Sequence, residues 1–214
     1  MTSPVPRRGR AASLRRAGRA PALDGRAARS ARTRAAIADA VLAFLEEGRL
    51  EPTSLAIAAR AGIAERTLFH HFADLEALFT EVAERQIERV RERFPFEQPA
   101  GTLSQRIDAF VARRAALHEF VTPVRRAALR LEPTSPAIAR RLAWARRELR
   151  RDVARSFARE VEAAPAARRH DLRGALTVAT SWSCWEQLRR HQGLSAPRAR
   201  AVVRQLVAST LEEE

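Results

Sequence analysis

The apolar residues of this chain recur at helical spacing. Ile37, Ala40, Val41, Phe44 and Leu45 follow one another at steps of three and one, which lays a single apolar stripe along one side of a helix. Similar stripes return at Leu75, Leu78, Phe79, Val82 and Val90, at Leu103, Ile107, Phe110 and Val111, and at Val202, Val203, Leu206 and Val207. Glycine and proline fall between them, at Gly48, Gly62, Pro99, Gly101, Pro123, Pro133, Pro136, Pro165 and Gly193, where helices end. Composition agrees. Of 214 residues, 44 are Ala and 39 are Arg, both strong helix formers, while β-branched and aromatic residues are sparse. The chain is therefore expected to be all-α and long enough to bury a core.

The pattern predicts particular elements. Gly48 closes the first helix, and Thr53 or Ser54 caps a short second one. Gly62 breaks that helix, and a third runs through Thr67, Leu68 and Phe72. Asp74 opens a longer fourth helix, and the stretch from Phe94 to Gly101 ends the block. Beyond it, a helix from Leu103 is interrupted at Pro123, and a short one ends near Leu131. A long helix then runs from Ile138 to Val161, and another covers residues 166–191 with apolar side chains in nearly all directions. Ser195 caps the last. No internal repeat is visible.

Several chemistries are excluded or disfavoured. Cys184 is the only cysteine, so neither a disulfide framework nor a cysteine zinc site is available. No run of 18 apolar residues provides a transmembrane helix, so no membrane partner is expected. His70 and His71 are neighbours and point about 100° apart on a helix; no acid cluster supports them, so no metal is expected. Cys184 lies between Ser183 and Trp185 with no His or Asn arrangement, which reads as a small packing residue. Glycine-rich phosphate loops are absent. The expectation is a non-enzyme without cofactors.

The charge is uneven. All 39 basic residues are Arg, and the formal charge is +14. Residues 1–30 carry +7, residues 31–91 carry −2 and residues 92–214 carry +9. A polyanionic partner fits the total. Residues 1–30 mix Arg with Ala, Pro and Gly and read as a disordered arm. Three roles stand for it: a tail without function, an arm on nucleic-acid phosphates or in a minor groove, and a transit peptide. A twin-Arg export signal is rejected, because no apolar segment follows Arg7-Arg8 or Arg15-Arg16.

Residues 53–72 read TSLAIAARAGIAERTLFHHF. Two short helices meet across a turn at Gly62, with small Ala58 and Ala61 at the crossing, which is the sequence form of a helix-turn-helix. The whole block 31–91 resembles the DNA-binding domain of the TetR family of transcriptional regulators. The matching residues are the Ile37-to-Leu45 stripe, Gly48 or Arg49, Thr53, Ile57-Ala58, Ala61-Gly62-Ile63, Thr67-Leu68-Phe69, His71-Phe72 and Glu76-Ala77-Leu78. The stretch from Trp185 to Leu206, with its Gly193-Leu194-Ser195 turn, resembles the last two helices of many members.

The resemblance implies three parts: the arm at 1–30, a helix-turn-helix domain at 31–76, and a helical effector-binding and dimerisation domain at 77–214. A recognition helix from about Ala64 to Phe72 would lie in the major groove. Glu65 and Arg66 would contact base edges, Thr67 a phosphate or base, and His70 and His71 backbone or bases. Thr53 would bind phosphate at the start of the second helix. Leu68 and Phe72 read as core. The chain departs from the family at Phe69, where Tyr is usual, at Leu75, where Lys is usual, and at Ala64, where Ser or Thr commonly caps the helix.

By the same resemblance, Trp182, Trp185, Leu188, Val202 and Leu206 are candidates for a homodimer interface. Phe110, His118, Trp144 and Cys184 are candidates for an effector pocket, with an apolar small molecule as the expected ligand. The implied function is a repressor in the bacterial cytoplasm, at the nucleoid, whose dimer binds a pseudo-palindromic operator. The helix from Asp74 to Phe94 would be the lever between its domains. The rival is a protein-interaction module in which the helix-turn-helix is architectural, and the acidic balance of 31–91 favours it.

Overall fold

The structure, a computed structural model, describes residues 24–212. Ten α-helices account for most of them, and no strand occurs among the described residues. The N-terminal part comprises α1 (Asp24–Glu46), α2 (Ser54–Arg60), α3 (Glu65–His71) and α4 (Leu75–Arg93). The C-terminal part comprises α5 (Leu103–Leu131), α6 (Pro136–Ser156), α7 (Ala158–Ala163), α8 (Arg169–Ala179), α9 (Trp182–Glu186) and α10 (Ala196–Glu212). A wide π-type turn, Gln187–His191, continues α9.

Two cores hold these parts. In the first, the Ile37-to-Leu45 stripe of α1 packs on Ile57, Leu68, Phe72, Leu78 and Val82. In the second, Ile107, Phe110 and Val111 of α5 meet Val153, Phe157, Leu176, Trp185 and Val203. The stripe spacing places each set on one helix face, and burial of large apolar side chains at about 1.5–3 kcal/mol each drives the packing. The cores are bridged. Ala127 and Val124 of α5 belong to the N-terminal core, and α4 runs from that core towards α6.

The helix ends follow local chemistry. The side chains of Thr53, Asp74, Ser135 and Ser181 each accept a backbone N–H from the first turn of the helix they cap. Thr102 and Gln105 form a reciprocal capping box on α5. Gly62 ends the α2 turn with φ 69°, a left-handed conformation that favours glycine.

Four expectations are corrected. The arm does not extend to residue 30, because Asp24–Ser30 already belongs to α1; residues 1–23 lie outside the described residues. Pro123 does not interrupt α5, which runs through it. Both flanks are packed, at Leu117, His118 and Ala127, and this packing outweighs the proline cost of about 3 kcal/mol. The predicted long helix 138–161 breaks at Phe157, whose φ of −119° and ψ of 27° leave the helical region. The break turns both Phe157 and Val161 into the core, and Phe157 stacks edge-on against Phe110 at 4.9 Å. The predicted helix 166–191 breaks at Thr180-Ser181, and the freed Thr180 carbonyl accepts from His118 Nε2 at 3.0 Å.

Candidate functional site

The helix-turn-helix is built by short-range bonds. Ala61 N–H donates to the Ile57 carbonyl at 2.9 Å, and Ile63 N–H to Ala58 at 3.0 Å, closing the turn around Gly62. Ala58 is 1% exposed, so a larger side chain would separate α2 from α3. Leu68 and Phe72 are buried in the core beneath α3. Ala64 precedes α3 and offers no side-chain cap.

The outward face of α3 carries Arg66, Phe69 and His70, all exposed, with Thr67 half-buried beside them. Arg66 has no ion-pair partner among the described residues. Glu65 differs from the expectation of a free base-reading carboxylate: it accepts the Ser54 hydroxyl at 2.5 Å and pins α3 to α2. His71 is half-buried, with Nδ1 at 3.5 Å from Ser30 Oγ of α1. Its ring stands edge-on to that of His70 at 5.6 Å. No cluster of metal-binding groups occurs among the described residues. Thr53 is exposed at the start of α2, where its hydroxyl accepts from Ala56 N–H at 3.2 Å.

Sequence reasoning missed Arg34. It donates to the His71 carbonyl at 2.8 Å and to Glu81 at 2.5 Å, and its guanidinium lies 4.4 Å over the Phe72 ring. One side chain thus fixes the end of α3 against α1 and α4. The sequence shows it only as one Arg among many. Of three exposed apolar side chains around α3, Phe69 at 49% and Leu75 at 45% stand where the sequence departs from the family pattern, and Leu55 at 65% was missed.

The acidic balance of this block has a structural explanation. Asp39 pairs with Arg85, Glu46 with Arg89, Glu47 with Arg60, Glu81 with Arg34 and Glu51 with Arg130. Glu76 accepts the Ser135 hydroxyl at 2.6 Å, joining the start of α4 to the start of α6. These acids hold helix to helix and are not presented on the α3 face, where Arg66 stands. The first turns of α1 add exposed Arg26, Arg29 and Arg32 near the end of α3.

A cavity of about 510 Å³ lies between α4, α5 and α6. His118 and Trp144, two of the four predicted pocket residues, line it. Phe110 does not, being fully buried in the C-terminal core, and Cys184 packs against that core. Burial alone pushes the Cys184 thiol above its ordinary pKa, the wrong direction for a nucleophile. His118 is held neutral: burial and then the nearby Arg114 push its pKa down to about 3. Behind it, Asp152 binds Arg114 at 2.7 Å and Arg113 at 2.9 Å. Arg114 is 2% exposed, and burial lowers its pKa to about 10, so it remains a cation at neutral pH.

The predicted dimer residues divide. Trp182, Trp185 and Leu188 point into the protomer's own core. Trp182 Nε1 donates to Thr122 at 2.9 Å and Trp185 Nε1 to Glu119 at 2.8 Å, which explains why a helix with apolar residues all round still has an inside. Leu206 is 42% exposed on α10 and Val202 is half-buried beside it. Val178 on α8, 67% exposed, was not foreseen.

A helix-turn-helix on an all-helical, cavity-bearing body defines the class of DNA-binding transcriptional regulators. Residues 36–82 match the family model described as bacterial regulatory proteins, tetR family. This match makes residues 36–82 a tetR-family helix-turn-helix DNA-binding domain. No curated protein matches the chain. Among solved structures it is similar to a protein from Mesorhizobium loti MAFF303099 described as a TetR-family transcriptional regulator, with 22% identity and a TM-score of 0.63. That match covers 86% of this chain and 96% of the other. A transcriptional regulator from Rhodococcus sp. Rha1 matches at 14% identity and a TM-score of 0.66, over 84% and 96% of the two chains. The multidrug binding protein EbrR, solved with imidazole, matches at 18% identity and a TM-score of 0.52, over 81% and 93%. These likenesses establish the shared fold over most of the chain.

Proposed function

We propose that the chain is a ligand-responsive repressor that binds a pseudo-palindromic operator as a homodimer in the bacterial cytoplasm, at the nucleoid. The observation that carries this reading is the outward face of α3: Arg66 free and exposed, with Thr67 and His70 beside it, on a helix anchored from behind by Leu68 and Phe72. An Arg at the leading turn of such a helix can donate two bonds to guanine in the major groove. Thr53 at the start of α2 and the arginines of the first turns of α1 serve the phosphates. Phe69 replaces a phosphate contact with an apolar one, suited to a thymine methyl.

Dimerisation is assigned to the exposed face of α8 and α10, through Val178, Val202 and Leu206. The cavity receives the effector. α4 is the lever, since Leu78 and Val82 sit in the N-terminal core while Gln86, Ile87 and Val90 line the cavity. By linkage, a releasing ligand binds the DNA-free arrangement more tightly. The test is titration of the purified protein against duplex DNA from upstream of its own gene, over a salt series and with random competitor. The expected result is saturable binding by two protomers that survives competitor and weakens steeply with salt. Failure to bind even random DNA at low salt would instead favour an interaction module with an architectural helix-turn-helix.

A further inference from the structure

The cavity carries its charges unevenly. Five arginines, Arg91, Arg113, Arg125, Arg141 and Arg155, face two carboxylates, Glu148 and Asp152. Both carboxylates are already bound, Asp152 by Arg113 and Arg114 and Glu148 by Arg151. Arg141 is paired with Glu84. Arg91 and Arg155 are exposed, lying over the rings of Trp144 and Phe96.

Arg125 is unlike the others. No carboxylate or other hydrogen-bond acceptor among the described residues meets its guanidinium, and its Nε is sealed from solvent without a partner. Its guanidinium carbon lies 5.0 Å from the centre of the Trp182 ring. Glu132, the acid that acts on it through space, is held at both oxygens by Arg146, at 2.7 and 2.9 Å. Burial, and then Arg146, lower the Arg125 pKa to about 10, so the group is still charged at neutral pH. A half-buried cation with no counterion is unfavourable, and a bound anion relieves the cost. The rest of the wall is largely apolar, with Ile87, Val90, Leu117, Val121, Leu142 and Leu149 around the space.

We propose that this cavity takes an apolar molecule carrying one carboxylate, with the carboxylate on the Arg125 guanidinium and the apolar body between α4, α5 and α6. The proposal rests on the reading of the cavity as the effector site and names its ligand class. Of the three lining guanidiniums without a carboxylate, Arg91 and Arg155 are exposed and Arg125 is half-buried; the planar fork of Arg125 matches a carboxylate at two points. The position also connects the ligand to the DNA-binding domain. Within two turns of Arg125 along α5, Ala127 is buried in the N-terminal core and Arg130 pairs with Glu51 beside α2. An anion drawing on Arg125 therefore acts on the stretch of α5 that touches α1.

The test is calorimetric titration of the full chain with dodecanoate and with dodecan-1-ol, which share an apolar body and differ in the anionic group. The acid should bind at least tenfold more tightly than the alcohol. Arg125→Gln should abolish that preference, with a native thermal melt showing that the variant is folded, and Arg125→Lys should keep part of it. Equal binding of acid and alcohol to the native chain, or a preference that survives Arg125→Gln, would overturn the proposal and leave the effector cavity standing. Binding of neither would overturn both.

Discussion

The two halves of the molecule use arginine in opposite ways. In α1–α4, Arg34, Arg60, Arg85 and Arg89 lie at or near the surface and tie helix edges together through Glu81, Glu47, Asp39 and Glu46. In the C-terminal half, Arg106 and Arg114 are 6% and 2% exposed, and half-buried Arg125 meets no carboxylate among the described residues. The first arrangement spends carboxylates on internal seams and keeps them off the α3 face. The second places cations inside, where each must find an anion or wait for one. Net charge counted along the sequence misses this difference. The block with a charge of −2 presents the exposed Arg66 on α3, and the basic half keeps part of its charge for its interior.

The largest expected effect lies at the buried network. Asp152→Asn leaves Arg114 uncompensated inside the protein and should lower the unfolding free energy by about 3–5 kcal/mol in urea titration. Asp39→Asn, which breaks the exposed pair with Arg85, should cost about 1 kcal/mol or less in the same assay. Equal costs would erase the contrast between the halves.

A second effect follows from His118. The unfolded chain protonates this group near pH 6.5 and the folded protein only near pH 3. Between those values the unfolded state binds more protons, so stability falls as pH falls. From pH 8 to pH 5 the native protein should lose about 2 kcal/mol more than His118→Gln. Parallel pH profiles would show that His118 is not held neutral. The smallest effect belongs to the N-terminal half. Thr53→Ala removes the α2 cap and should cost about 1 kcal/mol in thermal or urea unfolding. A cost of several kcal/mol would mean that Thr53 is more than a cap.

Much of the N-terminal half was legible in the sequence because its signals are local. The stripe on α1, the Gly62 turn and the Thr53 and Asp74 caps act over a few residues, and the structure shows each of them in place. The C-terminal half depends on contacts distant in sequence. The break at Phe157 is set by Phe110. The break at Thr180 is set by His118 and Arg114, with no glycine or proline to announce it. Trp182 and Trp185 read equally well as a surface stripe or as core, and their indole bonds to Thr122 and Glu119 decide for core. Of the pocket candidates, His118 and Trp144 reach the cavity, whereas Arg125 and Gln86 gave no periodic signal.

The most direct test of the account is the ratio of specific to random DNA binding, measured for the native chain and for Arg66→Ala on genomic fragments selected by the native protein. The variant should lose about 1–3 kcal/mol on the selected site, with little change on random DNA or in the salt slope. An equal loss on both kinds of DNA, or no selected site at all, would contradict the claim that the exposed face of α3 reads sequence.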